Sequence, residues 1–212
     1  METLVILISG RGSNMQALLE AGLPINRVVV ISNDPDAEGL KIAASLGALV
    51  ACIDHRNFQS REAFDAALAD EIDRHQPDLI ALAGFMRILT DGFVLRYQGR
   101  LLNIHPSLLP AYPGLQTHRR ALQDGVKIHG CTVHFVTAAV DHGPIVIQAA
   151  VPVMPDDTPQ ILASRVLQAE HRIYPQAVRW FFQNRLKLSG QMVTVSRAVV
   201  HDSVIYSPGL QD

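Results

Sequence analysis

Strand-like apolar runs that alternate with helical patterns predict an α/β chain: a doubly wound, mostly parallel sheet with helices on both faces. Apolar, β-rich segments recur at Leu4–Ile8, Val28–Ser32, Leu49–Ile53, Leu79–Ala83 and Leu101–His105. Helical patterns fit between most of them, the order that yields parallel strands. The runs Leu4-Val-Ile-Leu-Ile8 and Val28-Val-Val-Ile31 are apolar without alternation, as strands covered on both faces must be.

The first strand leads into Ser9-Gly10-Arg11-Gly12-Ser13-Asn14, followed by a helix over Met15–Leu19. Glycines let the backbone approach an anion closely, and amides at a helix start cradle phosphate. No GK[ST] follows, so this is not a Walker loop, and Met15 stands where a dinucleotide fingerprint needs a small third residue. A merely tight strand-to-helix turn is the plain alternative. Asp34 imitates a ribose-binding acid, but the broken fingerprint argues against a nicotinamide cofactor. Further on, Ser60 precedes a helix from about Arg61 to Gln76, whose apolar face repeats at Phe64, Leu68 and Ile72. The segment Leu82-Ala-Gly-Phe-Met-Arg-Ile-Leu89 leaves the fourth strand through Gly84 as core or lid, and Thr90 is placed to cap a short helix carrying Phe93 and Val94.

In Leu101-Leu-Asn-Ile-His-Pro106, alternation puts Asn103 and His105 on one face while Leu102 and Ile104 turn into packing. Pro106 ends the strand, so both polar groups lie at its carboxyl end, where open α/β sheets bind ligands. An amide donor and a titratable donor are what an oxygen needs when it gains negative charge in acyl or formyl transfer. Buried polar residues satisfied by neighbouring loops are the alternative. Cys131–Val136 and Ile145–Val151 read as later strands joined by the turn Ala138–Pro144. Asp141 in that turn is placed to meet His105 across a pocket and favour the imidazolium, although Asp before His-Gly is also a common turn former. Thr158 before Pro159 opens a long helix through Leu162, Val166, Ile173 and Phe181, with a kink expected at Pro175. Glu170 and His171 sit on it where the apolar face turns polar, the usual place of a solvated acid. The domain reading is one unit over 1–188 and an extension over 189–212, a hairpin or tail.

At 212 residues and 48% hydrophobic, the chain can bury one substantial core. A net charge of −2 with 18% charged residues, and no Lys/Arg run, argues against a polyanion-binding surface and favours small-molecule substrates. Cys52 and Cys131 form no CxxC pair, and His129, Cys131, His134 and His142 match no standard zinc spacing, so no disulfide framework and no metal are expected; His134 is more simply a strand residue facing the pocket. No apolar run approaches the ~18 residues of a membrane span, and Glu2 stands where a signal peptide would be basic, which makes the cytoplasm the expected setting.

Ile8–Asn14, Leu82–Leu89, Leu102–Pro110, Tyr112-Pro-Gly-Leu-Gln-Thr-His118 and Val133–Pro144 together, in that order, resemble the folate-dependent phosphoribosylglycinamide formyltransferase family, from Thr3 to about Leu186. The resemblance implies the formyltransferase fold. It implies that 10-formyltetrahydrofolate gives its formyl group to the amine of N1-(5-phospho-D-ribosyl)glycinamide in IMP synthesis, without a metal. It implies Asn103, His105 and Asp141 as the catalytic trio, Gly12, Ser13 and Asn14 as the loop on the ribonucleotide phosphate, and Glu170 as the acid on its ribose. Folate contacts are implied for Arg61, for Met86, Arg87, Ile88 and Leu89, and for Val136, Thr137, Ala138, Ala139 and Val140. Arg11 receives no role. The implied partners are these two small molecules, with neither nucleic acid nor membrane, and the chain is expected as a monomer or weak homodimer. Related deformylases carry an added regulatory domain, whereas this sequence starts at the first expected sheet strand; methionyl-tRNA formyltransferases carry a C-terminal RNA-binding domain, for which the stretch after Leu186 is too short. A nucleotide sensor without chemistry would be expected to lack part of the trio.

Overall fold

The first buried strand, β1 (Thr3–Ile8), has no exposed residue, and its two neighbours explain why. β2 (Arg27–Ser32) pairs along one side and β4 (Leu79–Leu82) along the other, both parallel. β3 (Leu49–Cys52) extends the sheet beyond β2 and β5 (Leu101–His105) beyond β4, again in parallel. Two long antiparallel strands follow, β6 (Ile128–Phe135) and β7 (Ile145–Pro152), and the hairpin of β8 (Leu186–Ser189) and β9 (Met192–Val195) finishes that edge. The nine strands run in the order β3-β2-β1-β4-β5-β6-β7-β9-β8. This computed structural model describes residues 2–199 together with Ile205 and Ser207; positions 200–204, 206 and 208–212 of the expected tail lie outside the described residues.

Alternation along β1 sorts the core into two layers. Leu4, Ile6 and Ile8 pack with Met15 and Leu18 of α1 (Ser13–Glu20), Ala43 of α2 (Glu38–Ser45) and Leu162, Val166 and Tyr174 of α6 (Pro159–Phe182). Val5 and Leu7 pack with Phe64, Leu68 and Ile72 of α3 (Arg61–Arg74) and with Phe93 of α4 (Asp91–Arg96). Helices therefore cover both faces, and an unbroken apolar run is the consequence. A last short helix, α5 (Thr117–Gln123), lies between β5 and β6 in sequence.

The hydroxyls of Ser60, Thr90 and Thr158 each accept the backbone N–H three residues on, at 3.1, 3.3 and 3.3 Å, so the expected caps at Thr90 and Thr158 form, and Ser60 caps its helix as well. α3 stops at Arg74, two residues short of the expected end, and α6 continues as one helix of 24 residues through Pro175. β6 starts at Ile128, earlier than the expected Cys131, because Ile128, His129 and Gly130 pair with Pro152, Val151 and Ala150 of β7. Among the described residues, no helix is long and apolar enough to cross a membrane.

From β1 the sheet grows in opposite directions, to β2 and β3 and to β4 and β5. A crevice opens at the carboxyl ends where such a sheet reverses. The Ser9–Asn14 loop, the 83–90 loop and the end of β5 all issue from that edge.

Candidate active site

The register of β5 on β6 sets Asn103 opposite His134 and His105 opposite Thr132. Asn103 Nδ2 lies 3.3 Å from His134 Nε2, while His134 Nδ1 lies 2.9 Å from the carbonyl of Phe135. A carbonyl can only accept, so Nδ1 carries the proton, and in the neutral ring Nε2 accepts from the Asn103 amide. Burial pushes the His134 pKa down, with backbone bonding and Asp141 opposing more weakly, which keeps that ring neutral near pH 7. One amide proton of Asn103 is thereby held by His134, and the other is turned away from it. The chain's plan for Asn103 includes a residue that sequence reading placed at the pocket but gave no part in the chemistry. Its signal was the cross-strand neighbour of Asn103, visible only once the β5–β6 register is known.

Asp141 closes the cluster from the 137–142 turn, in the left-handed region at φ 56, a conformation Asp tolerates better than most residues. One oxygen, Oδ2, accepts the Gly114 N–H at 2.8 Å and lies 3.5 Å from His105 Nδ1. The other, Oδ1, lies 3.8 Å from His134 Nε2. His105 is 6% exposed, and its Nε2 lies 2.9 Å from the Tyr112 carbonyl, so this nitrogen donates. The three residues expected to act together are thus brought to one place. The ring is anchored through Nε2, which leaves the nitrogen on the Asp141 side for other work.

At the other end of the crevice, Gly12 (φ 73) precedes α1 without a side chain to cap it. The first N–H groups of a helix have no partner within it, so Ser13 and Asn14 present amides at a point where the helix dipole favours an anion. The Asn14 side chain donates to Glu170 at 2.6 Å. Glu170 is 6% exposed, so the expectation of a solvated acid at this turn of α6 fails: α6 packs against α1 and carries the carboxylate inward. Burial raises its pKa, and the bond from Asn14 works in the other direction. Asn14 Oδ1 is buried without a partner. A buried acceptor next to a buried carboxylate is a place for hydroxyl donors.

The loop between β4 and α4 forms a wall. Its Met86 N–H donates to Ser9 Oγ at 2.8 Å, and the Thr90 N–H to the buried Asp65 at 2.6 Å. The Arg87 guanidinium stands 5.1 Å over the Phe64 ring, and Leu89 and Val136 pack on the core beneath. Met86 (74% exposed), Ile88 (62%) and Val140 (52%) face water. Thr137 and His142 bond the carbonyl of Ala139 and fold the turn that holds Ala138 and Val140. Arg61 stands exposed at the start of α3, with Glu62 at 4.0 Å as its ionic neighbour; among the described residues, no hydrogen bond or ion pair joins it to the other expected folate residues. From behind, the hydroxyl of the fully buried Tyr174 bonds the carbonyls of Leu82 and Leu102 at 3.0 and 3.2 Å, one residue before the wall loop and one before Asn103.

Residues 2–178 match the formyl transferase family model. The chain is 50% identical over 190 residues to the phosphoribosylglycinamide formyltransferase of Escherichia coli, covering 87% of this chain and 89% of that one. It is 49% identical over 179 residues to the trifunctional purine biosynthetic protein adenosine-3 of Drosophila melanogaster, covering 82% of this chain and 13% of that much longer one. The crystal structure of glycinamide ribonucleotide transformylase 1 from Symbiobacterium toebii superposes with a TM-score of 0.89 at 49% identity, over 92% of this chain and 94% of that one.

Proposed function

The chain belongs to the formyl transferase family, and on that premise we propose how its crevice joins a ribonucleotide amine to a formyl group carried by 10-formyltetrahydrofolate. It formylates N1-(5-phospho-D-ribosyl)glycinamide, giving the N-formyl product and tetrahydrofolate in purine biosynthesis. The observation that carries the mechanism is the convergence of Asn103, His105, His134 and Asp141 on one spot at the β5–β6 seam.

The ribonucleotide phosphate sits on the amides of Ser13 and Asn14 behind Gly12, and its ribose hydroxyls donate to Glu170 and to the unpartnered oxygen of Asn14. Three water-facing apolar side chains, Met86, Ile88 and Val140, suit a flat heteroaromatic ring, which removes apolar surface from water at about 25 cal/mol per Å². Arg87 and Leu89 support that wall, Val136–Val140 closes the opposite side, and Arg61 at the rim meets the acidic tail of the folate. The amine attacks the formyl carbon, and the carbonyl oxygen becomes negative. The free amide proton of Asn103 and the Nδ1–H of a protonated His105 receive that charge. Asp141 holds the imidazolium and takes up the amine proton, directly or through water, for delivery to the departing folate nitrogen. Both substrates are small, soluble molecules, and the reaction belongs in the cytoplasm, carried out by a monomer or weak homodimer with no metal.

The test is a substrate-dependence assay with 10-formyltetrahydrofolate, with and without the ribonucleotide. Tetrahydrofolate appears only when the amine is present. Equal release without it would mean hydrolysis, and release in neither case would mean a protein that binds without chemistry.

A further inference from the structure

Gly39 belongs to none of the motifs that mark this chain, yet it touches the loop expected to hold phosphate. It is the second residue of α2, and its N–H donates to the Gly10 carbonyl at 3.0 Å. A Cβ on Gly39 would lie 2.9 Å from the Gly10 carbonyl oxygen, 3.2 Å from that of Arg11 and 2.7 Å from Ile8 Cδ1. From the opposite side, a Cβ on Gly12 would come within 3.3 Å of Gly39 Cα and 2.8 Å of Met15 Cε. The two glycines face each other under the loop. Gly12 is needed for its positive φ as well. Gly39 is not in that region, and inside a helix glycine is about 1 kcal/mol worse than alanine, so close approach is the reason for it. Gly10 shows the contrast: a Cβ there would meet nothing within 4 Å, so the loop is open on its ligand side and seated on its α2 side.

We infer that Gly39 is a positioning residue for the ribonucleotide phosphate, its bare backbone forming the seat that sets the height of residues 10–12 and so aims the Ser13 and Asn14 amides. The inference rests on the reading of that loop as the phosphate cradle. A methyl group at position 39 presses on two backbone oxygens, which give way only if the loop moves. The folate wall touches this end of β1 at Ser9, through the Met86 N–H, and hangs otherwise on Asp65 and Phe64; none of these lies in residues 10–12, so the wall is spared.

Gly39→Ala is expected to raise KM for the ribonucleotide about tenfold, with KM for 10-formyltetrahydrofolate and kcat within twofold of the parent. With the same substrate lacking its phosphate, kcat/KM of the variant equals that of the parent. Ile8→Val removes the nearest side-chain atom but neither carbonyl, so Gly39→Ala in that background recovers thermal stability and keeps the raised ribonucleotide KM. Recovery of both together would overturn the inference, since the effect would then be core crowding. An unchanged ribonucleotide KM in Gly39→Ala would overturn it too. Gly12→Ala separates the two levels, because it strains the loop directly at a positive φ: if it raises that KM while Gly39→Ala does not, the cradle reading stands and the seat falls. If neither variant changes it, both fall.

Discussion

At the β5–β6 seam the working groups are side chains, paired across strands and held by bonds to neighbouring carbonyls and amides. At the β1–α1 turn the phosphate is left to backbone amides, placed by glycines and by the packing of α1 against α6 and α2, with the Asn14 and Glu170 side chains beside them. One end is built to stabilise charge that develops during reaction; the other is built to hold charge already on the substrate. The difference teaches where substitutions act. A change at the seam should lower turnover, because it removes an interaction made mainly in the transition state, and a change at the turn should raise KM for one substrate.

The largest effect is expected for Asp141→Asn, which keeps the shape of the turn and removes the charge between His105 and His134. Turnover should fall some hundredfold or more, with ribonucleotide KM within a few-fold, as steady-state kinetics would check. A raised KM at unchanged kcat would erase the contrast between the two ends. Next comes Glu170→Gln at the other end: loss of hydrogen bonds to a charged acceptor, about 1.5 to 3 kcal/mol, should raise ribonucleotide KM roughly ten- to a hundredfold while leaving folate KM alone. His134→Leu should cost roughly tenfold in kcat, because the Asn103 amide loses the acceptor that orients it. A companion pH profile sharpens the point. Protonation of His134 sets a donor against a donor, and its pKa is depressed by burial, so the parent should lose kcat below the ordinary histidine range while the leucine variant lacks that limb.

The smallest effect concerns stability. His129 is 1% exposed, with Nε2 unpartnered, and burial together with His118 pushes its pKa from 6.5 to about 4. A folded-state pKa below the unfolded one means stability that is full above pH 6.5 and is lost as pH falls toward 4, at up to about 1.4 kcal/mol per pH unit for one proton. Thermal melts between those limits should show a shallower pH dependence for His129→Leu than for the parent; equal slopes would remove the assignment.

The seam was legible in the sequence because a strand of period two exposes its plan: Asn103 and His105 stand out of an apolar run, and Pro106 fixes the end at which they lie. The parallel strands and the caps at Thr90 and Thr158 follow from equally local signals; Asp141 does not, since an Asp before His-Gly is commonly a plain turn former and only its approach to His105 marks it. Glu170 was not legible from pattern, since an acid at the polar border of a helix is usually solvated and only the packing of α6 on α1 buries it. His134 needed the antiparallel register, a pairing between residues 31 positions apart. Gly39 needed knowledge of what lies within 3 Å of its backbone, which no periodicity encodes.

The account stands most directly on Asn103. In a single turnover with both substrates saturating, Asn103→Ala should transfer the formyl group at least about a hundredfold more slowly than the parent, with ribonucleotide affinity unchanged. A transfer rate within a few-fold of the parent would contradict it.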